Sequence, residues 1–214
     1  MHKLHIIVGS TRQTRAADRV YPWVLAGARA HPDFEPELID LRDWPLPMFA
    51  EHAGTIGDRR DPSYSEPIVK QWNQKVKEAD AYLVITPEYN HSIPGVLKNA
   101  FDNVFISFAL RNKPIAAIGY SGGIAAATRA IEHLAHIAIE ADMAPLRSTV
   151  LIPFVNEAFD ATGEPTNRMT EIALSITLDD LAWWATALKT ARQAGQLPPA
   201  VFRARAAAAA AAED

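Results

Sequence analysis

The chain has 214 residues and contains no cysteine. This absence excludes disulfide bonds, thiolate catalysis and metal sites with cysteine ligands. A strong excess of charge is missing too, because 21 Lys and Arg residues stand against 25 Asp and Glu residues, for a net charge of -4. So balanced a composition gives no support for binding to nucleic acid or to an anionic membrane surface. We therefore expect neither as a partner.

Long apolar runs are also absent. No stretch reaches the roughly 18 apolar residues that a membrane-spanning helix needs, and the apolar run LHIIV near the N-terminus is too short for the core of a signal peptide. We therefore expect a cytoplasmic protein. With 49% hydrophobic residues the chain can bury a sizeable core as a single domain, which we place at residues 1–200.

Two segments have no regular hydrophobic pattern. Residues 42–67 contain four prolines and two glycines, and a connection of this length in a compact domain is usually functional or mobile. In residues 201–214, Arg alternates with Ala from residue 203 and a run of alanines follows. This composition predicts a frayed helical tail or a disordered end.

Strand-like and helix-like segments alternate five times along the rest of the chain. The predicted strands are short apolar runs at 4–8, 36–40, 82–86, 115–119 and 149–153. The predicted helices, with apolar residues every three or four positions, are 16–31, 66–79, 94–109, 123–142 and 168–192. Pro22 in the first of these predicts a late helix start or a kink. The alternation predicts an α/β fold, with helices on both faces of a parallel sheet.

The loop after the first predicted strand, GSTRQTR (9–15), joins a glycine, hydroxyl side chains and two arginines at the start of a helix. Backbone N–H groups at a helix N-terminus, hydroxyls and a guanidinium together suit a phosphate group. The alternative is that Gly9 permits the turn, Ser10 or Thr11 caps the helix, and the arginines are solvated. Neither G-x-G-x-x-G nor a P-loop motif is present, which favours the phosphate of a mononucleotide.

Polar loops follow the third and fourth predicted strands as well. TPEYNHSIPGVLKNAFD (86–102) follows the third, and GYSGGIAAATRAIEHL (119–134) follows the fourth. The carboxyl ends of parallel strands share one edge of a sheet, where open α/β folds bind their ligands. We therefore expect one ligand site formed by three loops. In a purely structural alternative, Pro87 ends the strand, Tyr89 packs under the loop, Asn90 makes a local turn and Pro94 starts a helix.

Together, GSTR, TPEYNHSIPGVLKNAFD and YSGG resemble the signature loops of the NADPH-dependent FMN reductase family, over residues 4–153. The resemblance implies a flavodoxin-like three-layer sandwich with a five-stranded parallel sheet of order 2-1-3-4-5. It also implies a non-covalent FMN that is reduced by NADPH or NADH. The electrons would pass, in a ping-pong reaction, to a small-molecule acceptor such as a quinone, an azo compound or a metal oxyanion.

The resemblance also assigns residues by position. It places Ser10, Thr11 and Arg12 at the phosphate of FMN, with Arg15 as a candidate for the phosphate of FMN or NADPH. The residues implied along the isoalloxazine ring are Pro87, Glu88, Tyr89 and Asn90 on one side and Ser121, Gly122 and Gly123 on the other. No catalytic side chain is expected, because the flavin supplies the reactivity.

Two departures from the family pattern leave details open. Many relatives have a serine where this chain has Thr14 and Arg15, which bears on the phosphate contacts. Some relatives have Gly-Tyr where this chain has Ser92 and Ile93, which bears on the surroundings of the ring.

Other classes of function are less favoured. GYSGG also matches the G-x-S-x-G motif of serine hydrolases, but the only histidines after Ser121 are His133 and His136, on the same predicted helix. A flavin-binding electron carrier without turnover is a further alternative. Those histidines with Glu132 and Glu140 suggest a metal site, yet such spacing on an Ala-rich helix is more typical of packing or surface residues. We therefore expect no metal.

The predicted helix after Pro94 carries more apolar residues than one buried face needs. The resemblance implies a homodimer formed through this region, or a dimer of dimers. The segment LAWWATAL (181–188) is also rich in apolar residues, and the sequence does not decide whether they pack in the core or form an interface with another subunit.

Overall fold

The computed structural model describes residues 1–212. Its strands are β1 (His2–Val8), β2 (Phe34–Asp40), β3 (Ala81–Pro87), β4 (Pro114–Tyr120) and β5 (Ala144–Ile152). Its helices are α1 (Ala17–Ala30), α2 (Pro67–Glu78), α3 (Gly95–Phe105), α4 (Thr128–Glu140), α5 (Arg168–Ala194) and α6 (Ala200–Ala210), with a 3-10 helix at Leu41–Asp43. Among these helices none combines the length and the apolar character needed to cross a membrane.

The five strands form one parallel sheet in the order β2-β1-β3-β4-β5. This order confirms the predicted flavodoxin-like fold. After β1 the chain adds β2 on one side, and it then adds β3, β4 and β5 on the other. The loops that follow β1, β3 and β4 therefore meet at the carboxyl edge of the sheet, where the strand order reverses.

Helices cover both faces of the sheet. α1 and α5 pack on one face, and α2, α3 and α4 pack on the other. Alternate residues of β1 pack against the two helix layers. Leu4, Ile6 and Val8 face α1 and α5, whereas Ile7 faces the layer of α2, α3 and α4. Every residue of β3 and β4 is buried. This is why the central strands are continuous apolar runs in the sequence.

The predicted start of the fourth helix at residue 123 is wrong, because α4 begins at Thr128. Ala126 and Ala127 have φ angles of 49° and 64°, in the left-handed region. They fold the chain back over Gly119, where an added Cβ would lie 2.6 Å from the carbonyl oxygen of Ala126. Left-handed alanines are uncommon, so apolar periodicity gave no sign of this turn.

Two other helices also differ from expectation. α1 begins at Ala17 and contains Pro22, so the late start is not observed; this proline lacks the N–H that would donate to the carbonyl of Asp18. α3 ends at Phe105, and Phe108 lies beyond it with a φ angle of 57°. The apolar run after Pro94 is therefore only partly helical.

The long connection between β2 and α2 is anchored on α3. Asn99 accepts a hydrogen bond from the backbone N–H of Phe49 at 2.9 Å and donates one to the carbonyl oxygen of Pro47 at 2.9 Å. Asn103 donates to the same oxygen at 3.1 Å. Part of the middle signature segment therefore holds this connection in place.

From residue 201 onward, α6 occupies the segment for which we expected a frayed or disordered tail. The ring of Phe202 lies 5.8 Å from that of Phe108, and the guanidinium of Arg59 lies over both rings. Residues 213 and 214 of the predicted tail lie outside the described residues. Fraying of the tail, and the domain boundary at residue 200, stay predictions.

Candidate functional site

Hydrogen bonds join the first two of the three loops at the carboxyl edge of the sheet. Gly9 donates its N–H to the carbonyl of Ile85 in β3 at 2.9 Å. The hydroxyls of Ser10 and Tyr89 are 2.7 Å apart and share a hydrogen bond. The ends of β1 and β3 are thus connected at both the backbone and the side-chain level, as the sequence predicted for one site.

Arg15 is the best fixed side chain of the phosphate loop, by which we mean residues 9–15. Its side chain is 1% exposed, so the alternative in which it is solvated is wrong. It donates to both carboxylate oxygens of Asp40, and through Nε to Asp18 at 2.8 Å. Burial disfavours both charges, but the hydrogen bonds between these groups outweigh it. They raise the pKa of Arg15 and lower the pKa of Asp40.

The other predicted phosphate residues differ in exposure. Ser10 is buried, Thr11 is half-buried and Arg12 is exposed. The guanidinium of Arg12 lies 5.7 Å from the centre of the Tyr89 ring. Within residues 1–212 it forms no ion pair with an acidic side chain. Arg12 is therefore available to an anionic ligand, whereas Arg15 is already paired.

The loop after β3 forms a tight two-residue turn. Tyr89 and Ser92 exchange backbone hydrogen bonds of 2.9 and 3.1 Å. Between them, Asn90 and His91 have φ angles of 49° and 73°, which is the combination that a type I′ turn requires. Asn90 thus makes the local turn that the structural alternative predicted. Pro87 ends β3, and the turn projects its backbone beyond the sheet edge.

An ion pair that the sequence analysis missed joins the second and third loops. Glu88, whose side chain is 7% exposed, pairs with Arg129 near the start of α4. Glu88 Oε2 and Arg129 Nε are buried and form no hydrogen bond with another described residue. Arg129 lies within GYSGGIAAATRAIEHL, but nothing in its spacing pointed to an acid on another loop.

Glycines in the third loop leave room for a ligand. Gly122 and Gly123 have no left-handed φ angle, and a Cβ added to either would meet no protein atom within 4 Å. Neither the backbone conformation nor the neighbouring residues therefore require glycine at these positions. The absence of side chains here leaves space for a ligand to lie directly against this backbone.

Tyr120, the last residue of β4, was also missed as a site residue. Its hydroxyl is buried and forms no hydrogen bond within the described residues. Burial, with the nearby Tyr89, raises its pKa, so the hydroxyl stays protonated. A buried tyrosine hydroxyl at this edge, a guanidinium at Arg12 without an ion-pair partner among the described residues, and open glycine backbone together fit a ligand such as FMN, which has a phosphate, hydroxyls and a flat polar ring.

The hydrolase alternative finds no support at Ser121. Its hydroxyl donates to the carbonyl of Gly123 at 2.7 Å. His133 Nδ1 lies instead 2.9 Å from the hydroxyl of Ser92. In the part of the chain that the structure describes, no histidine bonds to Ser121, so the arrangement of a nucleophile beside its base is missing.

The histidines of α4 do not form a cluster of metal ligands with their neighbouring acids. Within residues 1–212 the group whose ligand atoms come together is His5, Glu37 and Glu78. Lys75 bonds to both of these carboxylates and Lys3 bonds to Glu78, so lysines already balance their charge. Burial lowers the pKa of His5 to about 4 and keeps this imidazole neutral. We assign no metal to this cluster.

Comparison with known proteins agrees with this geometry. The family model for NADPH-dependent FMN reductase matches residues 2–157. An NAD(P)H-dependent FMN reductase of Schizosaccharomyces pombe is 32% identical over 120 residues, which cover 56% of this chain and 58% of that protein. A 2-hydroxy-1,4-benzoquinone reductase of a Burkholderia species is 28% identical over 186 residues, which cover 85% of this chain and 95% of that protein.

Among solved structures, the flavoenzyme NAD(P)H:(acceptor) oxidoreductase FerB of Paracoccus denitrificans is similar in fold, with a TM-score of 0.72 and 25% identity. The match covers 87% of this chain and 98% of that one. The family match spans all three loops and the strands that carry them. The chain therefore belongs to the NADPH-dependent FMN reductase family, as an oxidoreductase that uses FMN and NAD(P)H.

Proposed function

We propose that this protein passes electrons from NAD(P)H through bound FMN to a quinone, in a ping-pong reaction at the three-loop site. The observation that carries this proposal is the set of unpaired polar groups and open backbone at the carboxyl edge. Those groups match a flavin nucleotide in chemistry and lie on the loops that the family match covers. The Burkholderia quinone reductase, similar over most of both chains, supports a quinone as the acceptor.

The residues divide the binding of FMN between them. Arg12, Ser10 and Thr11 bind the phosphate, and Arg15 shapes the loop from beneath, because its hydrogen bonds go to Asp40, Asp18 and the backbone. When bound, FMN supplies the chemistry, taking a hydride from NAD(P)H and returning electrons to the acceptor.

The remaining site residues serve the ring. The backbones of Pro87–Asn90 and Ser121–Gly123 would border it, and the hydroxyl of Tyr120 would donate a hydrogen bond to it. The ion pair of Glu88 with Arg129 keeps these two loops together. Backbone donors held in place in this way favour negative charge on a reduced ring without the need to reorganise.

The first experiment is an anaerobic titration. The protein is reconstituted with FMN and desalted, and its visible spectrum is followed as NADPH and then a benzoquinone are added. We expect rapid bleaching by NADPH and full recovery of the flavin bands with the quinone. Parallel double-reciprocal plots would support the ping-pong order. Flavin bands that NADPH does not bleach would favour an electron carrier, and failure to bind FMN would overturn the proposal.

A matched variant separates ligand binding from folding. In Gly122→Val the added side chain meets no protein atom within 4 Å of its Cβ, so we expect an unchanged melting temperature. The same side chain would occupy the space that we assign to the ring, so FMN should bind far more weakly. Normal FMN binding by this variant would contradict our placement of the ring.

We also propose that the protein is a homodimer formed through α3 and α4. Val96, Phe105 and Ile139 on these helices are exposed. A groove of about 340 Å³ between the two helices is lined by Phe101, Phe105 and Ile137, among others. Light scattering on a sizing column tests this. The wild type should be dimeric and Phe105→Glu monomeric, and a monomeric wild type would overturn the proposal.

A dimer of dimers would need a second apolar surface. Trp183 on α5 is 66% exposed and lies against Trp184. If the wild type is tetrameric, Trp183→Glu should leave a dimer. The cytoplasmic location stays a prediction, which cell fractionation tests.

A further inference from the structure

Two arginines hold the carbonyl groups of the phosphate loop. Arg15 donates to the carbonyl of Ser10 at 2.6 Å. Arg42, which follows β2 in the 3-10 helix, donates through Nη2 to the carbonyl of Gln13 at 3.0 Å and also to that of Arg12. The loop therefore presents three of its carbonyl oxygens to guanidinium groups of this chain.

This arrangement fixes where the loop amides point. In a planar trans peptide the N–H of the next residue lies opposite the carbonyl. Carbonyls held by Arg15 and Arg42 therefore direct the N–H groups of Thr11, Gln13 and Thr14 to the other side of the loop. Within residues 1–212 none of these three N–H groups donates to another protein group. They form a set of free donors of the kind that binds anions.

A single carboxylate positions both arginines. Asp40, the last residue of β2, accepts from Arg15 Nη1 at 2.6 Å and from the backbone N–H of Arg42 at 3.0 Å. Arg42 Nη1 also lies 3.4 Å from Asp18. The orientation of the loop amides thus depends on the end of β2. That segment belongs to none of the three signature loops.

We propose that Arg42 is a positioning residue for the phosphate of the cofactor. It holds two loop carbonyls inward, so that the amides on the same peptides face the phosphate, and it does so without contacting the phosphate itself. This inference rests on the proposed function, because it takes FMN as the ligand. Riboflavin, which lacks the phosphate, supplies the comparison that isolates this role.

The test measures dissociation constants of the apoprotein for FMN and for riboflavin, from the quenching of flavin fluorescence. The variants are Arg42→Met, which removes the guanidinium, and Arg42→Lys, which keeps the charge but cannot bridge two carbonyls in the same way. Arg60→Met is the control, since Arg60 is exposed and pairs only with Asp58 among the described acids. Melting temperatures are measured for all of them.

We expect both Arg42 variants to bind FMN about tenfold more weakly, the usual size of the loss of a charge-assisted hydrogen bond. Riboflavin binding should not change, and Arg60→Met should behave as the wild type. Full recovery with Arg42→Lys would show that Arg42 acts by charge alone, and an equal loss for both flavins would show a general structural role. Either result overturns the inference, as does unchanged FMN binding in Arg42→Met. If the wild type binds neither flavin, the proposed function fails instead.

Discussion

The phosphate loop and the ring loops, by which we mean residues 86–92 and 120–123, lie at the same sheet edge but are stabilised in different ways. The phosphate loop depends on its own buried Arg15, which is paired with the half-buried Asp40 at the end of β2. The ring loops depend mainly on local backbone geometry, such as the left-handed pair Asn90 and His91, together with the single ion pair of Glu88 with Arg129.

This difference corresponds to what each region must do. The phosphate of FMN does not change during the catalytic cycle, so a fixed, preorganised set of hydrogen-bond donors suits it. The ring face must admit first NAD(P)H and then an acceptor, so little side-chain bulk should cover it. FMN and riboflavin therefore test the two regions separately, since only FMN engages the phosphate loop. The following variants are ordered by the size of the effect expected.

The largest effect should come from Asp40→Asn. It leaves the buried guanidinium of Arg15 with only the more exposed carboxylate of Asp18 as counter-charge, and breaking a buried ion pair from one side lowers the free energy of unfolding by up to roughly 3 kcal/mol. Urea unfolding measures this loss. FMN binding should weaken more than riboflavin binding, because the phosphate loop is no longer fixed. Asp61→Asn is the control, as this carboxylate is 84% exposed, and a similar loss there would show a nonspecific effect.

The difference in stability between the wild type and Asp40→Asn should also depend on pH. The pKa of Asp40 is lowered in the folded protein, so its charge contributes stability that is present above its ordinary pKa of about 4. That contribution is lost as the pH falls through the lower folded pKa. The difference in unfolding free energy between the wild type and Asp40→Asn should therefore shrink in acid. A difference that stays constant down to pH 2 would contradict this role of the charge.

A smaller effect should follow from Glu88→Gln in the ring loops. Arg129, its partner, is 43% exposed, so water compensates part of the lost ion pair and the free energy of unfolding should fall by about 1 kcal/mol. Binding of FMN and riboflavin should weaken by the same factor, because only the ring region is affected. Arg129→Met should weaken the binding of both flavins equally as well, but with a larger loss of stability, because it leaves the buried carboxylate of Glu88 without its partner. Loss of FMN binding alone would break the distinction between the two regions.

Ser10 and Tyr89 connect the two regions through one hydrogen bond. A double-mutant cycle with Ser10→Ala and Tyr89→Phe should give a coupling energy of about 1 kcal/mol in urea unfolding. A coupling near zero would show that this hydrogen bond contributes nothing to the connection between the regions. The cycle thus measures how far they can be treated as separate.

The sequence predicted the features that depend on residues close together in the chain, and it missed contacts between residues that are far apart in the chain. The strand order was implied by recognisable loops, and the buried strands by runs such as those of β3 and β4. The pair of Arg15 with Asp40 joins residues that are distant in sequence, and a single sequence holds no sign of such a contact. The ion pair of Glu88 with Arg129 was missed for the same reason. The turn before α4 was missed because left-handed alanines have no sequence signal.

The smallest effect should come from His91→Gly. Asn-Gly is the favoured pair for a two-residue turn of this geometry, and His91 holds a φ angle of 73° that glycine adopts without strain. We therefore expect a gain of about 0.5 to 1 kcal/mol in unfolding free energy, with His91→Ala giving none because alanine keeps the Cβ. Both flavins should bind as in the wild type, since the turn backbone is unchanged. Weaker riboflavin binding in both His91 variants would show that the imidazole itself contacts the ring, and the turn would then contribute a side chain to the ring site as well as its backbone.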